Sequence, residues 1–137
     1  FKAEAAGRYG AKRVRIDGIL FDSTLEGARY LELRDREKKG LLTGLECQKV
    51  FKIQSEGKPI CAYIADFVYT VNGEQIVEDV KGMTLLTFKM KQTLLKVLHG
   101  IDVQVIKTKD IVNGYQKLAA DIREFGRDYD TEKEAFK

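Results

Sequence analysis

A single proline, no tryptophan, one histidine and two cysteines stand in these 137 residues, and each scarcity excludes something. With so little proline, 33% charged and 44% hydrophobic residues, the chain is neither a disordered tail nor a low-complexity scaffold but has the make-up of a globular protein. Cys47 and Cys61, with one histidine in the whole chain, cannot assemble the usual four-ligand Cys/His zinc site, and they read as small buried hydrophobes. No apolar run approaches the roughly 20 residues that span a bilayer, and no charged-then-apolar leader opens the chain. No membrane partner is therefore expected, and the expected location is the cytoplasm. The chain starts at Phe1 without a Met, so further residues are expected ahead of it.

Charge of one sign is also scarce overall, with a net +3, but it is unevenly spread. Lys2, Arg8, Lys12, Arg13 and Arg15 face only Glu4 in the first fifteen residues. From Lys89 to Lys109, Lys91, Lys96 and Lys107 are set against Asp102 alone, and the tail after Asp110 is mildly acidic. Such polarity suits a domain that meets a polyanion with one face, and solvated lysines on a helix would look the same.

What is present reads as alternating strands and helices. "KRVRIDGILFDS" turns at Asp17-Gly18, a strong hairpin signal, which predicts short strands over 12–16 and 19–21. Ser23 is placed to cap a helix whose apolar residues Leu25, Ala28, Tyr30, Leu31 and Leu33 recur until Gly40. A strand is predicted over 45–53, then a loop "QSEGKP", then a hairpin across Asn72-Gly73 that pairs 63–71 with 75–81. A helix over 84–98 closes at Gly100, "IDVQVIKT" is a strand, and a last helix covers 115–125, before a polar end expected to fray. A helix between two strands favours a crossover and a parallel pairing. The fold class is α/β or α+β, a mixed central β-sheet flanked by α-helices, in a single domain over 1–137 whose ends, 1–12 and 127–137, are flexible.

The central hairpin, "YIADFVYTVNGEQIVEDVKG", carries more charge than a buried strand pair should. Alternation puts Asp79 and Lys81 on one face and Glu78 on the other. In the partner strand both faces are apolar apart from Asp66, which reads as burial on both sides. A lone carboxylate there costs several kcal/mol unless compensated. The hairpin brings Asp66 near Asp79, and two carboxylates together call for a cation; carboxylate oxygens with water suit Mg²⁺. The plainer reading is a structural ion pair with Lys81, but one lysine cannot balance two carboxylates. Two acids, a metal and a lysine are the set that phosphodiester hydrolysis needs.

Asp66, then Asp79-Val80-Lys81, resembles the PD-(D/E)xK nuclease superfamily, with Ala65 standing where its usual proline would be. The order hairpin, Gly82, helix and "DVQVIK" matches that superfamily's restriction-endonuclease-like core. Over most of its length the chain is similar to small phage-encoded proteins assigned to the same superfamily. The resemblance implies a Mg²⁺-dependent endonuclease (Mn²⁺ being the alternative metal) acting on DNA, with Asp66 and Asp79 as metal ligands and Lys81 positioning the attacking water. By motif position it adds Glu26 as a further metal or water ligand, although Ser23-Thr24-Leu25-Glu26 is also a capping box that needs no catalysis. Lys89, Lys91 and Arg13, and Gln48 beside the acids, are candidates for contacting DNA. His99, ending a helix, reads as a cap suited to the dipole rather than as a base. Small enzymes of this fold resolve branched DNA as homodimers, which implies a Holliday-junction or fork resolvase of phage recombination. The alternatives are a nicking or end-processing nuclease on ordinary duplex or single strands, a catalytically silent DNA-binding module, and a ribonuclease.

Overall fold

The computed structural model describes residues 12–132. Lys2, Glu4 and Arg8, and the ends expected to be flexible over 1–11 and 133–137, lie outside the described residues. Among the described residues the fold is α+β, with two mixed sheets and three helices. The chain divides into two compact units, one holding residues 12–32 and 111–132 and the other Leu33–Asp110.

In the first unit, β1 (Val14–Ile16) and β2 (Ile19–Phe21) pair antiparallel across Asp17-Gly18, whose φ angles of 55° and 80° are what a two-residue hairpin turn of the mirror type requires. α1 (Thr24–Lys38) starts in this unit and ends in the other. Ser23 Oγ accepts the Glu26 N–H at 3.2 Å, the N-cap bond expected of it. After Thr108–Asp110, a single 3-10 turn belonging to the other unit, the chain re-enters the first unit at a helix over Gly114–Phe125 and a two-residue strand, Asp128–Tyr129. That strand pairs parallel to β1, giving a three-stranded sheet with β1 at its centre. Arg127 donates to the carbonyls of Arg13 and Lys12, and the Thr131 amide donates to Asp17. Residues 127–132 are thus held rather than frayed: their polar side chains find partners that lie more than a hundred residues away in sequence.

The second unit is a four-stranded sheet in the order β3 (Thr43–Ser55), β4 (Lys58–Val71), β5 (Glu74–Val80), β6 (Val103–Ile106), with α2 (Leu86–His99) packed on it. In chain order the Gly114–Phe125 helix is then α3 and Asp128–Tyr129 is β7. The first two pairings are antiparallel and β5 with β6 is parallel, as the intervening helix predicts. The core joins Ile53, Tyr63, Ala65, Val68, Val77 and Val103 of the sheet to Phe88 and Leu95 of α2.

Two expectations are corrected. The strands form two sheets, not one, because β1 and β2 take β7 as their neighbour. The "QSEGKP" segment is no loop: Glu56 and Gly57, at φ 51° and 77°, close a tight turn that joins β3 and β4 into one long hairpin, Ser55 pairing with Lys58. Among the described residues no helix is long and apolar enough to cross a membrane.

Candidate functional site

The β4–β5 turn sets the register on which the site rests. Asn72 and Gly73, at φ 51° and 82°, start a ladder that runs from Val71 opposite Glu74 to Phe67 opposite Glu78. One further step would set Asp66 across from Asp79, but the ladder stops short of it. Asp66 Oδ2 accepts the Val80 N–H at 2.7 Å, so a carboxylate stands where a strand carbonyl would otherwise be. The strands part here, with both acids at the fork.

On its other edge β4 pairs with β3, Cys47 opposite Phe67 and Lys49 opposite Ala65, which leaves Gln48 facing Asp66. Gln48 is exposed and sits at φ 57°, a left-handed conformation in the middle of a strand. Gln48 is therefore on the neighbouring strand to Asp66 and two strands from Asp79. β4 is not buried on both sides throughout, as its apolar composition suggests. Phe67, Val68 and Tyr69 are all buried, yet Ile64 is 58% exposed. The reason is that β4 outruns β5 by several residues, so ahead of Asp66 it belongs to a two-stranded arm with only one covered face.

Asp79 is 2% exposed. Lys81 Nζ lies 3.0 Å from its Oδ2, an ion pair not aligned as a hydrogen bond, so that this buried oxygen has no hydrogen-bond partner. The Lys81 backbone is fixed by its N–H donating to Ile106 O at 2.9 Å, and its ammonium sits 4.5 Å above the centre of the Phe88 ring. The Tyr63 hydroxyl is likewise buried and meets no partner in full hydrogen-bonding alignment, and its ring contacts Phe88 at 6.2 Å. Burial first, then the charge of Asp79, hydrogen bonding to the Asp79 carboxylate and the charge of Asp66, push the Tyr63 pKa far above the ordinary phenol range. Both carboxylates are thus close enough to act on one phenol.

Glu78 is as buried as Asp79 and points the other way, its carboxylate accepting the hydroxyl of Tyr69, a diagonal neighbour on β4. The alternation that separates it from Lys81 holds in the structure.

Other expected site residues are placed as follows. Glu26 lies in the first turn of α1, in the first unit, whereas Asp66, Asp79 and Lys81 lie in the second. Among the described residues no group of three or more His, Cys, Asp or Glu side chains is placed to hold a metal ion. Lys89 is exposed on α2, and Lys91 donates to Ala62 O at 2.8 Å, strapping the helix to β4. Arg13 pairs with Asp22 at 3.6 Å on the surface. His99 does more than end a helix: its Nε2 accepts the Gln54 N–H at 3.2 Å, tying α2 to β3. Tyr63 and Phe88 were legible only as apolar members of a strand and a helix, since no spacing rule marks an aromatic residue that touches charge.

The chain matches, over residues 6–111, a family described as protein of unknown function (DUF1064), and it belongs to that family. No curated protein matches the chain.

Proposed function

We propose that the protein is a metal-dependent deoxyribonuclease that hydrolyses phosphodiester bonds at the fork of β4 and β5. The observation that carries this reading is Asp79: a carboxylate buried to 2% exposure, one oxygen without a hydrogen bond, an acid across the strand fork and a lysine at 3.0 Å. A buried carboxylate oxygen that meets only an unaligned ammonium at 3.0 Å, beside a second carboxylate, fits Mg²⁺, which is commonly held by one or two carboxylates with water and substrate phosphate filling the other positions. Asp66 and Asp79 would hold it, and Mn²⁺ would suit the same oxygens. A bound ion would supply Lewis-acid stabilisation of charge on the phosphate and a more acidic water.

Lys81 holds the attacking water, or a non-bridging phosphate oxygen, through its ammonium. The water oxygen forms the new bond to phosphorus, the bond to the leaving sugar oxygen breaks, one proton leaves the water and one is taken up by the leaving oxygen. The resemblance to PD-(D/E)xK nucleases supports the same three roles. It also favours branched DNA, cut by a pair of copies, over ordinary duplex.

The test is cleavage of labelled four-way junction, fork, duplex, single-stranded DNA and RNA with Mg²⁺ or Mn²⁺, wild type beside Asp79→Asn. Metal-dependent cutting that falls roughly a hundredfold or more in the variant is expected. Paired symmetric cuts confined to the junction identify a resolvase, and cutting of every DNA alike identifies a general nuclease. No cutting of any substrate, with nucleic-acid binding the same in both proteins, overturns the enzyme in favour of a silent binding module.

A further inference from the structure

An oxygen acceptor and an oxygen donor, Asp79 Oδ2 and the Tyr63 hydroxyl, are both buried and neither meets a partner in full hydrogen-bonding alignment, yet the two groups lie near enough for the carboxylate to act on the phenol. Tyr63 otherwise behaves as a core residue, packing with Ala65, Val68 and Phe88. For that task phenylalanine would do better, because a buried hydroxyl without a partner is a desolvation cost that the bare ring avoids. The hydroxyl is therefore the part of Tyr63 that the core does not explain. Beside it, the Phe88 ring lies under the Lys81 ammonium at 4.5 Å and against Tyr63 at 6.2 Å. Two rings thus line the charged pair on the side facing α2.

We propose that Tyr63 is a positioning residue for Asp79: its hydroxyl donates to the Asp79 carboxylate and holds it in the orientation that receives a hard cation, while Phe88 holds Lys81 beside it. This rests on the nuclease reading of the same site. Phenol donors suit this task because the ring is fixed by packing and only the hydroxyl hydrogen has to turn. A phenol, whose ordinary pKa is about 10, is a donor at neutral pH. Groups that hydrogen-bond a ligating carboxylate set its orientation, and losing one typically weakens metal affinity about tenfold or more.

The test uses Tb³⁺ as the probe, because it binds carboxylate sites and emits when a nearby tyrosine is excited, and the chain has no tryptophan to compete. Affinity is read by calorimetry with Mn²⁺, and folding by circular dichroism. Wild type is expected to show tyrosine-sensitised emission that Asp79→Asn abolishes. Tyr63→Phe is expected to bind Mn²⁺ about tenfold more weakly and to lose most of the emission per bound ion. Phe88→Leu is expected to leave Mn²⁺ affinity unchanged and to reduce cleavage through Lys81. If Tyr63→Phe does not fold, the tyrosine-sensitised emission of the folded wild type, expected to fall with Asp79→Asn, decides whether Tyr63 stands beside the bound ion, and its absence overturns the role of Tyr63. A folded Tyr63→Phe with wild-type affinity and emission overturns the role of Tyr63 and leaves the nuclease standing. A Phe88→Leu variant that cuts at the wild-type rate overturns the role of Phe88. Wild type that neither binds Mn²⁺ nor cuts any substrate overturns both the inference and the reading beneath it.

Discussion

Replacing Glu32 removes a carboxylate that accepts four hydrogen bonds. Its Oε2 accepts the backbone N–H groups of Val112, Asn113 and Gly114 at 2.6, 2.8 and 3.1 Å, and its Oε1 accepts Arg29 at 3.0 Å. These amides are the donors that a helix N-terminus leaves without intrahelical partners, so Glu32 on α1 caps α3 from across the unit. The Glu32 side chain is only 8% exposed. In Glu32→Ala, the exposed Val112 and Asn113 amides recover water, but the buried Gly114 amide does not, and Arg29 loses a carboxylate. Summing one buried unmade bond and one weakened charge pair gives a loss of about 3 kcal/mol. Glu32→Gln keeps an acceptor and should lose about 1 kcal/mol, the charge assistance alone. Burial pushes the Glu32 pKa up, but the Asn113 and Gly114 amides, Arg29 and the Val112 amide outweigh it and hold the group below its ordinary 4.5. A depressed carboxylate contributes stability that is fully present above the unfolded value and is lost as pH falls through the folded one. Urea unfolding of wild type, Glu32→Gln and Glu32→Ala at neutral pH and at stepwise lower pH reads all of this. The gap between wild type and Glu32→Gln should narrow only below pH 4.5. A Glu32→Ala protein within about 0.5 kcal/mol of wild type at neutral pH, the spread of ordinary surface changes, would refute the argument.

Two further changes probe the backbone. Glu56 occupies a left-handed position at φ 51° in the β3–β4 turn, so Glu56→Asn should raise the urea midpoint, with a gain of up to about 1 kcal/mol, and a loss would mean the turn is not of this type. A Cβ on Gly114 would stand 2.1 Å from the carbonyl oxygen of Ala28, a backbone atom that cannot swing away, so Gly114→Ala should cost roughly 3 kcal/mol or more, read in the same titration, and an unchanged midpoint would contradict the close approach of α3 to α1.

Much of this fold is legible residue by residue, and the exceptions have reasons. Asp17-Gly18 and Asn72-Gly73 announce their turns because Asn, Asp and Gly are the residues that tolerate positive φ. Glu56-Gly57 takes the same conformation, and Glu gives no such signal, so a hairpin reads as a loop. The strand at Asp128–Tyr129 has two residues and no pattern of its own; it exists because β1 offers an edge, a contact across more than a hundred residues that no local window contains. In the site, the i, i+2 relation of Asp79 and Lys81 is readable from alternation alone, and the 3.0 Å pair agrees with it. The Asp66 bond to the Val80 amide is not readable, because it depends on where the ladder ends, and neither is the approach of Tyr63 to the acids.

Glu78 and Asp79 form an internal comparison for whether the charge on this hairpin is structural. They are adjacent, equally buried and on the same strand, so desolvation bears on both alike. Glu78 has what a structural acid needs, a hydroxyl donated by Tyr69 on the same face of the sheet. Asp79 has a lysine at 3.0 Å that is not aligned to donate, a phenol close enough for its hydroxyl to act on the carboxylate, and another carboxylate across the fork. If ion pairing alone had shaped this corner, the cheaper arrangement would aim Lys81 at Asp79 and put an apolar residue at 66, leaving no second negative charge to offset. The same few residues of β5 thus hold one acid in a hydrogen bond and one in an ion pair with a second carboxylate nearby. Burial does not distinguish the two, whereas under the proposed reading a cation between Asp79 and Asp66 would.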